Sequence, residues 1–211
     1  MTDAAAPTRR ERKKEETRRR IFDAALALFN EKGFEATTID DITARADVAK
    51  GTFFNYFPRK EAVIEFLADE WMEIAEETAA NRSLRAAQRI RALYDVLTRA
   101  HEAHPDLARA MMRASAQRMC CPAPGGAWQR FEELVVQVLR EGQASGEIRT
   151  DTHPGVLHGV LISCFVGSVM WWLGEKSQAA SDTARRMTLH QVVTALQSVA
   201  LDGMKAQRGV A

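Results

Sequence analysis

Side chains able to read DNA bases are concentrated in one short stretch of the sequence, TTIDDITARADVAKGTFFNYFPRK, at residues 37–60. Ammonium, hydroxyl and amide groups make the hydrogen bonds by which proteins read base edges, and an asparagine amide pairs with adenine through two such bonds. A glycine at the start of a helix lets the backbone approach DNA closely. This pattern favours a surface that enters a major groove, formed by Lys50, Gly51, Thr52, Asn55 and Tyr56.

A second group of residues suggests metal or thiol chemistry. His101 and His104 flank Glu102 with a spacing that loosely suits metal ligands, although a histidine at a helix end is also favoured by the helix dipole. The adjacent Cys120 and Cys121 could sense thiol chemistry, although an inert pair is the commoner case. The sequence shows no glycine-rich phosphate loop, nucleophile elbow or His-Glu-x-x-His motif. We therefore predict no enzyme, cofactor or metal site, with a helical enzyme or a thiol or metal sensor as the alternative.

The elements that would position these residues are helical. Apolar residues recur at helical spacing throughout the chain, and alternating strand patterns are nearly absent. Glycine, proline and capping residues separate the segments. We predict an all-α fold of about nine helices: 8–32, 39–46, a short helix that ends at residue 56, 60–80, 83–104, 106–119, 127–145, 155–174 and 182–200.

The second and third predicted helices form a helix-turn-helix. Each has about two turns, and a tight turn at Asp47 and Val48 joins them. Phe53 and Phe57 are four residues apart and share the inner side of the third helix, where Ile42 can contact them. The sequence thus predicts a DNA-binding domain at residues 1–60 and a helical bundle at residues 61–211.

The string DDITARADVAKGTFFNYFPRKEAV resembles the signature of the tetracycline-repressor (TetR) family of bacterial transcriptional regulators. The resemblance is close over about the first 65 residues. It implies three DNA-binding helices, a fourth connecting helix, and a bundle that dimerises through its last two helices and encloses a ligand pocket. It also implies phosphate contacts by Thr38, Tyr56 and Lys60, and base reading by Lys50, Gly51, Thr52 and Asn55.

Three residues depart from the family pattern. Ala49 stands where a capping serine is frequent, so we expect the recognition helix to lack a side-chain cap. Asp47 replaces the usual turn glycine and must adopt a positive φ, which aspartate tolerates at some cost. Phe54 stands where a tyrosine often donates to phosphate, so we expect that contact to be missing.

Two further sets of residues are candidates for the bundle's functions. Small residues at four-residue intervals allow another helix to approach closely, and the last helix carries apolar stripes. The predicted homodimer interface comprises Gly159, Ser163, Gly167, Leu189, Val193 and Leu196. Large apolar and aromatic groups of the middle helices could line a pocket for a small apolar effector, although plain core is the alternative for each of them. These candidates are Tyr94, Met111, Met112, Trp128, Phe131 and Phe165.

Composition and charge fit a cytoplasmic regulator that binds double-stranded operator DNA. The chain has 211 residues and a net charge of +1, but residues 1–20 hold eight Lys or Arg against four acids. Such a basic segment can approach a polyanion. Three cysteines form no even-numbered disulfide framework, and the first residues carry no apolar signal segment.

Residues 155–174 lack charged side chains and meet the length test for a membrane span. We expect a buried helix instead and no membrane association. We predict a repressor that a small apolar effector releases from a near-palindromic operator, although the sequence alone does not distinguish repression from activation.

Overall fold

Nine α-helices make up the regular structure of residues 8–118, 126–175 and 187–205, the part of the chain that the computed structural model describes. Over these residues the model contains no strand beyond an isolated bridge between Ile148 and Lys205. The all-α prediction is confirmed. In chain order the helices are α1 (Arg9–Lys32), α2 (Ile39–Ala46), α3 (Lys50–Tyr56), α4 (Glu61–Ala80), α5 (Ala86–Ala103), α6 (Pro105–Arg118), α7 (Ala127–Ala144), α8 (Pro154–Glu175) and α9 (Leu189–Gly203).

Threonine capping boxes set the start of three helices. Thr8, Thr38 and Thr188 each accept a hydrogen bond from the backbone three residues on, and the side chain at that position bonds back. The box at Thr188 corrects one prediction. The last helix begins at Leu189 and not at residue 182, because Thr188 adopts an extended backbone and caps the helix there.

The chain divides into two compact units, residues 1–66 and 67–211. The division falls inside α4, whereas the predicted domain border lies just before it, at residues 60 and 61. In the first unit, α1, α2 and α3 enclose an apolar core that includes Phe22, Phe29, Ile42 and Phe53. This core is the three-helix arrangement that a helix-turn-helix requires.

The second unit is built around α8, whose residues at four-residue intervals are buried: Leu157, Leu161, Phe165 and Val169. Helices α5, α7 and α9 surround them with further core residues. By length and composition Pro154–Gly174 would also pass as a membrane span, as core helices of soluble proteins do, and 44% of its most apolar window is buried. The opposite side of α8 carries exposed apolar residues.

Candidate DNA-binding site

The turn between α2 and α3 depends on one strained residue. Asp47 caps the C-terminus of α2 with φ 51° and ψ 56°, and no other non-glycine residue of the described segments has a positive φ. Its N–H and that of Val48 bond to carbonyls in the last turn of α2. The expectation that aspartate supplies the left-handed turn is confirmed.

Helix α3 displays its polar residues because its aromatic residues are buried. Phe53 and Phe57 are almost fully buried, with ring centroids 5.9 Å apart. Lys50, Gly51 and Asn55 are exposed, and Thr52 and Tyr56 are half-buried. The predicted base-reading residues therefore lie on the outer side of this helix. Phe54 is also exposed, at 44%, and adds an apolar group of the kind that contacts thymine methyl groups.

The first turn of α3 lacks a side-chain cap. Ala49 is the N-cap residue and makes no side-chain hydrogen bond, as the sequence indicates. We expect Ala49→Ser to raise the free energy of unfolding by about 0.5–2 kcal/mol, because a serine hydroxyl would accept from a free N–H of the first turn. Urea denaturation measures the change. Ala44→Ser, at an exposed position inside α2, is the matched control, and an equal effect of the two serines would contradict the capping role of position 49.

Thr38 caps α2 and belongs to a small polar cluster. Its hydroxyl donates to the Asp41 carboxylate over 2.6 Å, and the Asp41 N–H donates back to Thr38 Oγ1 over 3.1 Å. Lys32 Nζ lies 2.6 Å from the same carboxylate. The hydrogen bond from Lys32, with those from Thr38, holds the pKa of Asp41 far below its usual range. The phosphate contact of Thr38 remains a prediction, and the free N–H groups at the start of α2 are its best donors.

Lys60 binds the loop between α1 and α2. Its Nζ donates to the carbonyl oxygens of Phe34 (2.7 Å) and Thr37 (2.9 Å) and lies 4.2 Å from the centroid of the Phe34 ring. An ammonium group has three protons, so one remains for a phosphate. The sequence did not indicate this structural role, and the predicted phosphate contact remains to be measured.

We expect Lys60→Ala to weaken binding to all DNA sequences and to reduce the slope of log K against log salt by about one unit, since one phosphate contact is lost. The unfolding midpoint should also fall, because two carbonyls lose their donor. Salt titrations of DNA binding and thermal unfolding measure the two effects. Lys205→Ala removes an exposed lysine of the second unit and controls for net charge. An unchanged slope with a lower midpoint would show that Lys60 acts only on the loop.

Basic residues of α1 adjoin the polar residues of α3. A surface depression of about 320 Å³ is lined by Glu11, Lys14, Glu15, Arg18, Asn55 and Tyr56. The guanidinium carbon of Arg18 lies 4.0 Å from the centroid of the Phe66 ring, a cation–π contact that orders this side chain. Arg18 and Lys14 are therefore further candidates for phosphate contact. The basic run in residues 1–20 pointed to this region but not to these two residues.

Three cations near this site are paired with carboxylates of a neighbouring helix. Lys50 Nζ lies 2.7 Å from Asp40 Oδ1, and Arg45 lies 2.7 Å from Glu31. The Lys32–Asp41 pair is the third of these solvent-accessible ion pairs between α1, α2 and α3. Exposed pairs of this kind contribute about 0–1 kcal/mol each. Phosphates can therefore compete for these cations at low cost.

In the second unit, three of the effector-pocket candidates pack against one another. The ring centroid of Tyr94 lies 5.3 Å from that of Phe131 and 5.6 Å from that of Phe165, and all three rings are buried. Met112 is buried, and Met111 is half-buried. Trp128 differs: it is 43% exposed and stacks on Phe131 from outside. The pocket assignment of these six residues remains a prediction.

The predicted interface residues fall into two groups. Gly159, Ser163 and Gly167 are on the outer side of α8, and a Cβ atom at either glycine would have no neighbour within 4 Å. Leu196 is exposed. Leu189 and Val193, in contrast, are buried in the protomer's own core, because this side of α9 packs on α5 and α8. We therefore assign these two residues to the core and not to an interface.

The residues of the alternative metal or thiol site are only partly described. They contain no group of three or more His, Cys, Asp or Glu side chains placed to hold a metal. His101 is buried, with Nδ1 2.7 Å from the Leu97 carbonyl, and so contributes to the core of the second unit. Cys120 and Cys121 lie outside the described residues.

Known proteins share both the motif and the fold. Residues 21–66 match the family model described as "Bacterial regulatory proteins, tetR family". The transcriptional repressor KstR of Mycobacterium tuberculosis is 28% identical over 177 residues, which cover 82% of this chain and 78% of KstR. The A-factor receptor protein of Streptomyces griseus is 28% identical over 152 residues, covering 72% of this chain and 53% of the receptor. The crystal structure of Thermus thermophilus FadR, a repressor in complex with lauroyl-CoA, has a TM-score of 0.61 and 26% identity, covering 92% of this chain and 98% of FadR.

A three-helix core that exposes the polar residues of a short third helix defines a helix-turn-helix DNA-binding protein. Residues 21–66 thus match the DNA-binding helix-turn-helix of tetR-family regulatory proteins, and the chain is similar over most of its length to the repressors KstR and FadR. The motif and these relatives identify the protein as a DNA-binding transcriptional regulator.

Proposed function

We propose that the protein is a cytoplasmic repressor that binds a near-palindromic operator as a homodimer and is released from it by a small, predominantly apolar effector. The observation that carries this proposal is the arrangement of α3. Buried Phe53 and Phe57 fix the helix, and the polar groups of Lys50, Thr52 and Asn55 are left outside. A recognition helix of this kind reads one operator half-site, and a two-fold dimer reads two.

The outer side of α8 and α9 supports the dimer. Val156, Val160, Met170 and Trp171 of α8 are between 40% and 59% exposed. Leu196 and Val199 of α9 are exposed as well. Gly159 and Gly167 leave room between these side chains for a second backbone. An exposed apolar surface with small residues at its centre is typical of a contact between copies of a chain.

The composition of the second unit supports an apolar effector. Tyr94, Phe131 and Phe165 form an aromatic cluster in the interior of this unit. Thermus thermophilus FadR, which is similar over nearly the whole chain, has been crystallised with lauroyl-CoA. Lauroyl-CoA and apolar alcohols are therefore the first compounds to screen for release of DNA.

Asn55 and Thr52 provide the test of base reading. We expect Asn55→Ala and Thr52→Ala to weaken binding to the operator by about 1–3 kcal/mol each and to relax base preference, because both should contact base edges. The operator is first selected from a random DNA pool, and the affinity of each variant is then measured for selected and random DNA.

Asn81→Ala is the matched control, since it removes an exposed amide from the second unit. Equal losses on selected and random DNA would assign Asn55 to the phosphate backbone instead. Failure of the wild-type protein to enrich any sequence would refute the proposed function itself.

A further inference from the structure

Several buried polar atoms of the second unit have no hydrogen-bond partner among the described residues, and two of them belong to rings on one helix. These two are Tyr94 Oη and His101 Nε2, both on α5. The two residues are 0% and 2% exposed. A separation of seven residues places them on the same side of the helix, two turns or about 10 Å apart along its axis.

Aromatic rings surround both groups. The centroid of the Phe165 ring lies 5.6 Å from that of Tyr94 and 5.4 Å from that of His101. Phe131 packs on Tyr94, and Trp71 of α4 lies 6.2 Å from His101. Both unpaired atoms therefore belong to rings that contact the same phenyl group of α8, in an apolar setting.

The two unpaired atoms have opposite hydrogen-bonding roles. His101 Nδ1 is 2.7 Å from the Leu97 carbonyl, which only accepts, so Nδ1 carries the proton. Burial lowers the pKa of His101 despite that carbonyl, so the ring is neutral and Nε2 is an acceptor. Burial raises the pKa of Tyr94, so its hydroxyl keeps its proton and is a donor. The pair offers one hydrogen-bond acceptor and one donor.

A buried hydroxyl between the two residues on α5 is satisfied within the helix. Thr98 is also fully buried, and its hydroxyl donates to the Tyr94 carbonyl over 2.7 Å. Unpaired buried polar atoms are rare in folded proteins, because each loses its bonds to water without replacement. A partner from outside the chain would satisfy Tyr94 Oη and His101 Nε2.

We propose that Tyr94 Oη and His101 Nε2 are polar contacts of the effector site, and that they bind an uncharged, apolar part of the effector that carries two matching groups. An O–H or N–H of the effector donates to His101 Nε2, and an oxygen of the effector accepts from the Tyr94 hydroxyl. This inference rests on the proposed function and adds the chemistry of its ligand. The rings that pack on the two residues are uncharged, and burial of an unpaired ion among them would be costly.

The first test measures stability without any ligand. Tyr94→Phe removes the unpaired hydroxyl and keeps the ring, so its melting temperature should rise by about 2–5 °C. Thr98→Val, the matched control, removes a satisfied hydroxyl and should not raise it. A lower melting temperature for Tyr94→Phe would mean that the hydroxyl already has a partner in the free protein, which overturns the inference.

The second test measures binding with two matched probes, 2-naphthol and 2-methoxynaphthalene. Both are apolar and have one oxygen, but only 2-naphthol can donate to His101 Nε2. In calorimetric titrations without DNA, we expect the wild-type protein and Thr98→Val to prefer 2-naphthol by about tenfold, a typical contribution of one buried hydrogen bond. The preference should fall below about threefold in His101→Leu, which keeps the side-chain volume similar.

The outcomes separate this inference from the proposed function. A preference that survives in His101→Leu, or no binding of 2-naphthol up to about 1 mM, overturns the assignment of the effector's polar contacts. Neither result alters operator binding or its dependence on Asn55, which are measured without any small molecule. Loss of sequence-specific DNA binding in the wild-type protein would instead refute the proposed function, whatever the naphthol titrations show.

Discussion

Gly167→Lys is expected to reduce operator affinity by about 10²–10⁴-fold, although Gly167 lies far along the chain from the helix-turn-helix. A Cβ atom at this position has no neighbour within 4 Å in the protomer, so the lysine does not disturb the protomer's packing. It would, however, place a long charged side chain in the proposed contact between copies. A monomer binds only one half-site of the operator. In a dimer, binding of one recognition helix holds the other at a high effective concentration near the second half-site, and a monomer loses this gain in affinity.

The stability of the protomer distinguishes loss of the dimer from loss of folding. Replacing a glycine inside a helix should stabilise the helix by up to about 1 kcal/mol, so affinity and helix stability should change in opposite directions. Ala144→Lys places the same side chain on an exposed position of α7 and is the matched control. Analytical ultracentrifugation and DNA titration measure the two properties. A wild-type protein that is monomeric at micromolar concentration would contradict the dimer.

Saturating operator DNA is expected to weaken effector binding by up to about 10⁴-fold. To change the protein from 99% bound to operator DNA to 99% free of it, an effector must bind the DNA-free form more tightly by about 5.5 kcal/mol. Thermodynamic reciprocity requires that DNA weakens the effector by the same factor. Helix α4 runs through the division between the two units and carries Trp71, which contacts His101, so it is the element through which we expect the coupling.

Calorimetry with an effector found in the release screen, with and without operator, measures this coupling. A random duplex of the same length is the control and should leave the affinity of the effector unchanged. Half-sites have a fixed spacing, so a shift of a few ångströms between the two recognition helices is enough to lose contacts. Equal effector affinities in the presence and absence of operator would rule out release by this route.

Local signals predicted most of the fold correctly. The bounds of α2 and the end of α3 were predicted to the residue, because Thr38, Asp47 and the Phe57-Pro58 pair are strong start and stop signals. The start of α9 differs from the prediction because the Thr188–Gln191 capping box begins the helix at Leu189. The start of a helix can be predicted from the sequence when its capping residue is recognised.

Tertiary placement was harder to predict. The stripe of Leu189, Val193 and Leu196 looked like one surface, yet the first two are buried and the third is exposed. The periodicity of apolar residues gives the side of the helix on which a residue lies. It does not show whether that side packs against the protomer's own core or is exposed. The bonds of Lys60 to the carbonyls of Phe34 and Thr37 join residues more than twenty positions apart, and nothing in the local sequence indicates them.

The three ion pairs beside the recognition helix affect how the protein searches the chromosome. Asp40, Asp41 and Glu31 hold the cations Lys50, Lys32 and Arg45 in the free protein. Each phosphate that recruits one of these cations must first displace a carboxylate, at a cost of up to about 1 kcal/mol. Random DNA gives only phosphate contacts in return, whereas the operator adds base contacts. The acidic partners thus shorten the residence time on the 10⁶–10⁹ competing genomic sites, which leaves more of the repressor free to find its operator.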